Sequence, residues 1–500
     1  MLVSDDLLLY YQRCDRRAFL DVFGDSRQRD PLDQFLLKLR QDSRSHRREV
    51  LSQYHYQRPD WSGEDWYEGT QATLELMEQG VESIYRGVLA ASWLPGVELV
   101  SKPDLFVRHP GSSRFGDWFY VPYDIRFGKR PKLDYQIVGA FHGLVLSQLQ
   151  EVWPPTAWLV LRGRNPHGVD FLKRVPQMQQ LLSDCIVSLR QPQTPELFLS
   201  RQKCNLCHWY SFCHHAAQSQ RHLSLIPGIT PNRYSQLQGM GIDSLAALVE
   251  TPRSQLKMVF GAEAGNQLAQ QAIASYRQQA LLRDGAITHL FQSPHNRWLA
   301  NPQGAIEIHF DIEAEPDLDL DFLLGSLVID HRHNRQTYYG FMAKSPQEEA
   351  LVWQQFLELM ESYPQAFIFH FCDYEVKTIQ RLAKLYNTPK HRYQALINRC
   401  VDIHWWVTHL TLLPVESYAL KPIARWLGFN WRNPQANGAQ CICWYNEWLS
   451  EQKQDCLEAI LEYNEDDCRA TYTLKTWLTQ FLKPYYLEAI NPERNRIINY

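Results

Sequence analysis

Twice along this 500-residue chain, runs with the period-two pattern of β-strands give way to long runs with the 3.6-residue period of helices. A switch repeated in that way demands more than one mixed α/β layer. The first block opens with two helical patterns, LLLYYQRCDRRAFLDVF and the strongly charged FLLKLRQDSRSHRREVLSQY. Strand-like runs follow at GVELVSKPDLFVR and DWFYVPYDIRF, parted by the turn-rich HPGSSRFG, and TAWLVLRG comes after a helical stretch beginning near Tyr135. The second block shows strand pattern in AIEIHFDIEA, FLLGSLVID and AFIFHF, then helices through QRLAKLYN, SYALKPIARWLGF and DCLEAILEYNEDDCRATYTLKTWLTQFL. Between the blocks, LSLIPGITPNRYSQLQGMGIDSLAALVETP and a Gln/Ala-rich run read as all helical, and the polar SPHNRWLANPQG near 293–304 marks the next boundary. At roughly 100–200 residues per domain the length predicts about three domains, placed at 1–220, 221–285 and 305–480.

Lys and Arg number 51 against 55 Asp and Glu, a formal charge of −4, and 45% of residues are hydrophobic. A disordered chain and one held on nucleic acid by bulk charge are both excluded, so any nucleic-acid site is local. The start, MLVSDDLLLYYQRC, carries two acids and no basic region before its apolar stretch, which is not the pattern of a signal peptide. No window approaches about 18 uninterrupted apolar residues. A cytoplasmic protein without a membrane partner is expected; protein partners are not legible.

Cys204, Cys207 and Cys213 form C-x2-C-x5-C, a spacing with which thiolates wrap one soft metal centre. Cys14, about 190 residues upstream, is the natural fourth ligand and would tie the two ends of the first domain together. A zinc site completed by His208, His214 or His215 is the competing reading. The remaining cysteines lie mostly among apolar neighbours and read as small hydrophobes.

Cleaving a phosphodiester with metal ions needs carboxylates that converge at strand ends beside a cation. Asp104 in KPDLFV and Asp124 in YVPYDIRFGKR lie on two strand-like runs joined by a hairpin. Asp124 and Arg126 are two apart and share a face, while Ile125 points to the core. His46, in the charged helix, is a further candidate ligand, and Gln136 opens a helix placed to clamp substrate. In the second block Asp311 and Glu313 sit two apart on a strand, and two carboxylates this close repel unless a cation joins them. Glu375 and Asp467 offer a third and fourth ligand, with Asp373 a rival to Glu375. Tyr463 precedes Asp467 by four residues and shares its helix face, where a hydroxyl can orient the attacking water.

Residues 1–220 resemble the RecB-like branch of the PD-(D/E)xK nucleases, including those that carry an iron-sulfur cluster. The resemblance implies Cys14, Cys204, Cys207 and Cys213 as ligands of a [4Fe-4S] cluster, His46, Asp104 and Asp124 as metal ligands, and Gln136 as the nucleic-acid-binding motif after the active strand. Arg126 stands where that family has lysine. It stays charged but is a poor proton carrier, and Lys129 or Lys132 would have to supply an ammonium. LIPGITPNRYSQLQGMGI resembles a helix-hairpin-helix unit, with Gly228, Ile229 and Thr230 as the hairpin that meets phosphate. Residues 305–480 resemble the RNase H-like DEDDy exonucleases, most closely the YprB type. Asp311-x-Glu313 and Tyr463-x3-Asp467 match its first and last motifs, whereas His370-Phe371 and Tyr374-Glu375 depart from the usual Asn-Gly and Phe-Asp of the middle one. Asp402 in CVDIHWWV continues the likeness as scaffold. The full order resembles a family of bacterial fused RecB-like nucleases.

The expected fold is therefore α/β and multidomain: a restriction-endonuclease-like domain, a small helical hairpin domain and an RNase H-like domain. The expected function is Mg2+- or Mn2+-dependent cleavage of DNA or RNA in DNA processing or repair, with 3′–5′ exonuclease chemistry in the last domain. The alternative is a catalytically degenerate nucleic-acid-binding scaffold with an iron-sulfur or Zn2+ site.

Overall fold

Helix α1 (Asp5–Arg13) starts at Ser4, whose hydroxyl accepts from the Leu7 amide, and ends because Cys14 turns extended, φ −165° and ψ 113°. The Cys14 sulfur then caps α2 (Asp15–Phe23) by accepting from the Arg17 amide. One helical pattern in the sequence is thus two helices, and the break presents the thiol. The computed structural model describes residues 1–490 apart from 33, 64, 192, 293–295 and 301–305. Much of the boundary expected at 293–304 lies outside the described residues. The chain divides into two compact units, Met1–Ala216 and Ala217–Tyr500, and the helical segment expected at 221–285 belongs to the second.

In the first unit, α3 (Gln34–Leu51) precedes two sheets. A three-stranded sheet joins Leu2–Ser4, Val97–Ser101 and Leu89–Leu94 in that order. A six-stranded sheet holds β1 (Leu105–Ser113), β2 (Gly116–Arg126) and β3 (Trp158–Leu161), with β1 antiparallel and β3 parallel to β2. The run GVELVSKPDLFVR is split between the sheets at Lys102-Pro103-Asp104, where Pro103 has no N–H to give a ladder. Helix α4 (Leu133–Gln150) packs against strands of both sheets, which is why it is apolar on nearly every side.

In the second unit, Thr230 caps α5 (Pro231–Gly239) by accepting from the Arg233 amide. A five-stranded sheet follows: β4 (Ile306–Glu315), β5 (Leu320–Asp330), β6 (Arg335–Met342), β7 (Phe367–His370) and β8 (Cys400–Asp402), in the order β6-β5-β4-β7-β8. Strand β4 lies at its centre, antiparallel to β5 and parallel to β7. Ile308, Phe310 and Ile312 join the core beneath helix α6 (Glu349–Ser362), with the Phe310 and Phe356 rings 4.6 Å apart. Helix α7 (Tyr374–Leu385) follows β7, and α8 (Leu420–Trp426), α9 (Gly438–Glu451) and α10 (Gln454–Ile490) complete the unit. Among the described residues no helix is long and apolar enough to cross a membrane.

Candidate active site

The period-two geometry of β4 sends its odd-numbered residues to the face met by α10. Glu307 pairs with Lys475, the His309 ring stands 5.1 Å from that of Tyr472, and Asp311 accepts from Asn464 Nδ2 at 2.8 Å. Glu313, two residues on, is buried. One helical turn links Tyr463 to Asp467 on α10, so the motifs expected on a strand and on a helix meet across this face. Carboxylate oxygens of Asp311, Glu313 and Asp467 all lie within 4.8 Å of one another.

These acids are held against their own charge. Burial, then the neighbouring Asp467 and Glu313, pushes Asp311 well above the usual carboxylate range, and burial with Asp467 does the same to Glu313. Burial lifts Asp467 to about 6, restrained by hydrogen bonds from Trp431 Nε1 at 2.7 Å and from Tyr463. Lys421 on α8, whose charge restrains Glu313 and Asp467, donates to the Ala436 carbonyl and sits 4.9 Å from the Tyr463 ring centre. Hard oxygen donors crowded in this way fit Mg2+ or Mn2+.

Glu375, in the first turn of α7, stays outside this close group, yet its charge helps to raise Asp311. It is buried beside His370 Nδ1 at 3.5 Å and the Cys372 thiol at 3.7 Å. Asp373 is instead 71% exposed and paired with Lys377. Asp402 is scaffold, accepting the Cys372 amide at 3.2 Å and the Trp405 amide at 3.0 Å.

Several residues of this site escape a sequence reading. Asn464 also accepts from the Tyr338 hydroxyl at 2.8 Å, and Cys441 hydrogen-bonds Glu313. Gly325 pairs with Asp311 across the ladder and leaves room for the Asn464 side chain. Only Asn464, next to Tyr463 in LEYNEDD, carried a local signal.

Residues 308–479 match the RNase H superfamily. That part of the chain is an RNase H-like domain, and the match spans the acidic trio, Glu375 and Tyr463. No curated protein matches the chain.

The first unit gathers its expected residues differently. The Leu105–Tyr123 register brings Asp104 beside Asp124. Asp104 accepts from the Ile125 amide at 2.7 Å and pairs with Arg47 at 2.6 Å. Asp124 pairs with Arg126 at 2.9 Å, and its other oxygen faces His142 Nε2 at 3.4 Å. Burial would raise Asp124, but Arg126 and then His142 hold it below the usual carboxylate range. Buried Asp5, unseen from sequence, is raised to about 6 by burial against the pull of His142. His46 is buried, its Nε2 lacking a hydrogen-bond partner. The Gln136 side chain donates to the Pro131 carbonyl at 2.7 Å and accepts from Arg174 at 2.9 Å. Lys132 Nζ sits 5.9 Å from the Tyr135 ring centre, as Arg126 does at 5.3 Å.

Cys14, Cys204, Cys207 and Cys213 come close enough to raise one another's thiol pKa values, after burial, which is the larger cause. Each sulfur has a donor: the Arg17 amide at 3.4 Å on Cys14, the Ser200 amide at 3.3 Å on Cys204, the Trp209 amide on Cys207 and the Arg16 side chain on Cys213. Among the described residues no three of these sulfurs lie within 4.8 Å of one another. In the helical segment, Gly228 has φ +91° and its carbonyl accepts from Arg233 at 2.7 Å. Ile229 is buried and its amide donates to the Ile226 carbonyl.

Proposed function

We propose that this chain is a metal-dependent nuclease acting on DNA or RNA, with hydrolysis at Asp311, Glu313 and Asp467. The observation that supports it is the convergence, inside an RNase H-like domain, of three carboxylates from a central strand and a helix within 4.8 Å, two of them buried and Asp311 half-buried, with no ion pair from Lys or Arg to any of them among the described residues. Divalent ions bound there would polarise the scissile phosphate and lower the pKa of an attacking water. The trio, with Glu375 as a further ligand, would hold the ions. Asn464 and Trp431 fix the orientation of Asp311 and Asp467, and Tyr463, tied to Asp467, orients the water. The resemblance of this domain to the DEDDy exonucleases extends the reading to 3′–5′ exonuclease chemistry in DNA processing or repair. Asp311→Asn should lower metal-dependent cleavage at least about a hundredfold, beyond the 10–100-fold typical of losing an outer-shell partner. Unchanged cleavage would place the chemistry elsewhere.

A second reading applies to the first unit. Asp104 and Asp124 are neutralised by Arg47, Arg126 and His142, the arrangement of an ion-paired scaffold rather than of acids awaiting a cation. We read this unit as a nucleic-acid-binding platform. By its resemblance to the iron-sulfur branch of the RecB-like nucleases we read its four cysteines as ligands of a [4Fe-4S] cluster, with Zn2+ as the alternative. Asp124→Asn should leave cleavage unchanged but destabilise the unit by up to about 3 kcal/mol, since it takes a partner from half-buried Arg126 and buried His142.

A further inference from the structure

The first unit contains a cavity of about 500 Å³ whose lining includes five arginines and three tyrosines and no carboxylate. Arg44, Arg47, Arg48 and Leu51 recur at the i, i+3, i+4, i+7 spacing of one helical face, so α3 offers a guanidinium row to this cavity. Arg58 and Arg86 approach from the opposite wall, their guanidinium carbons 4.6 and 5.4 Å from the centre of the Tyr85 ring. Arg86 is held there with φ +57°, a left-handed conformation that a long side chain rarely adopts. Among the described residues Arg44, Arg48, Arg58 and Arg86 form no ion pair with a carboxylate, whereas Arg47 is engaged by Asp104. Tyr56 stands edge-on to Tyr85 at 5.1 Å and keeps 39% of its surface exposed.

Four unneutralised guanidinium groups around an accessible aromatic face match a group with concentrated negative charge joined to a flat ring. We propose that this cavity binds a nucleotide unit of a single nucleic-acid strand, its phosphates held by Arg44, Arg48, Arg58 and Arg86 and its base stacked on Tyr56. Guanidinium forks recognise phosphate in bidentate fashion, and base stacking is indifferent to sequence, so the site holds the strand without reading it. The proposal deepens the reading of the first unit as a nucleic-acid platform, and it does not depend on cleavage.

The test is fluorescence anisotropy of a labelled single-stranded 12-mer with the full chain carrying Asp311→Asn, in EDTA, so that loss of cleavage and loss of binding stay separate. Replacing Arg48 and Arg58 together by Ala should weaken binding at least about tenfold and reduce the salt slope by about 1.4, from roughly 0.7 per phosphate contact on a single strand. Tyr56→Ala should weaken it about tenfold with the slope unchanged, and the surface control Arg164→Ala should leave it alone. Displacement of the 12-mer by a free nucleoside monophosphate would identify the mononucleotide as a second source of the same chemistry. Unaltered affinity and slope in an arginine variant that melts like the parent would overturn the proposal. So would displacement by inorganic phosphate as effective as by the nucleotide.

Discussion

A close approach of sheet and helix beside the acidic trio is made possible by a missing side chain. A Cβ placed on Gly325 would lie 1.6 Å from Asn464 Oδ1 and 2.9 Å from the Tyr338 hydroxyl, so Gly325→Ala must expel Asn464 from its seat. Asn464 then loses its hydrogen bonds to Asp311 and from Tyr338, both 2.8 Å long. Overpacking costs about 1–3 kcal/mol, and loss of a hydrogen bond to a carboxylate about 1.5–3 kcal/mol, so the second unit should lose about 2.5–6 kcal/mol. Urea denaturation read by the fluorescence of the buried tryptophans measures this. A double-mutant cycle isolates the cause. With Asn464→Ala already present, the 1.6 Å clash is gone and only the Tyr338 hydroxyl, freed of its Asn464 partner, has to shift, so Gly325→Ala should cost about 1–2 kcal/mol less than in the wild-type background. The same cost in both backgrounds would refute the steric coupling.

The other expectations concern charge and cysteines. Because Asp311, Glu313 and Asp467 have folded-state pKa values above their ordinary ones, they favour the metal-free fold at low pH and that contribution disappears as pH rises through the folded pKa values. For Asp467, rising from 3.8 to about 6, the contribution lost is at most about 3 kcal/mol. Thermal melts in EDTA should therefore weaken between about pH 4 and 7, Mn2+ should restore more stability at the upper end than at the lower, and a flat profile would count against the crowding. Anaerobically purified protein should be brown and carry iron and sulfide, both lost in Cys14→Ser; a colourless protein binding zinc would contradict the cluster reading.

What could be read from the sequence was local. Asp311 and Glu313 alternate with apolar residues on one strand, and Tyr463 and Asp467 repeat at one helical turn, so short-range periodicity alone put each pair on a shared face. Cys14 was legible as a cysteine distant from the other three, but the helix break that presents it was hidden inside an unbroken amphipathic pattern. Strand β6, with RQTYYGFM half-exposed, lacked the apolar alternation that marked its neighbours. Lys421, Trp431, Cys441 and Gly325 reach the site from separate elements, and their roles follow from long-range packing that no window of sequence contains. Asp5, His142 and Arg47 are of the same kind. They bring further charged groups to Asp104 and Asp124 from distant elements, and apart from Arg126 nothing within several residues of either acid announced them.

Mn2+ titration followed by electron paramagnetic resonance, run beside cleavage on the same preparations, bears on the acidic trio without intermediaries. Wild-type protein should bind Mn2+ and cleave over the same concentration range, while Asp467→Asn and Glu313→Gln should lose both together, with Asp124→Asn retaining both. Full Mn2+ binding and cleavage in the Asp467→Asn protein would show that these carboxylates do not hold the ions that act on the strand.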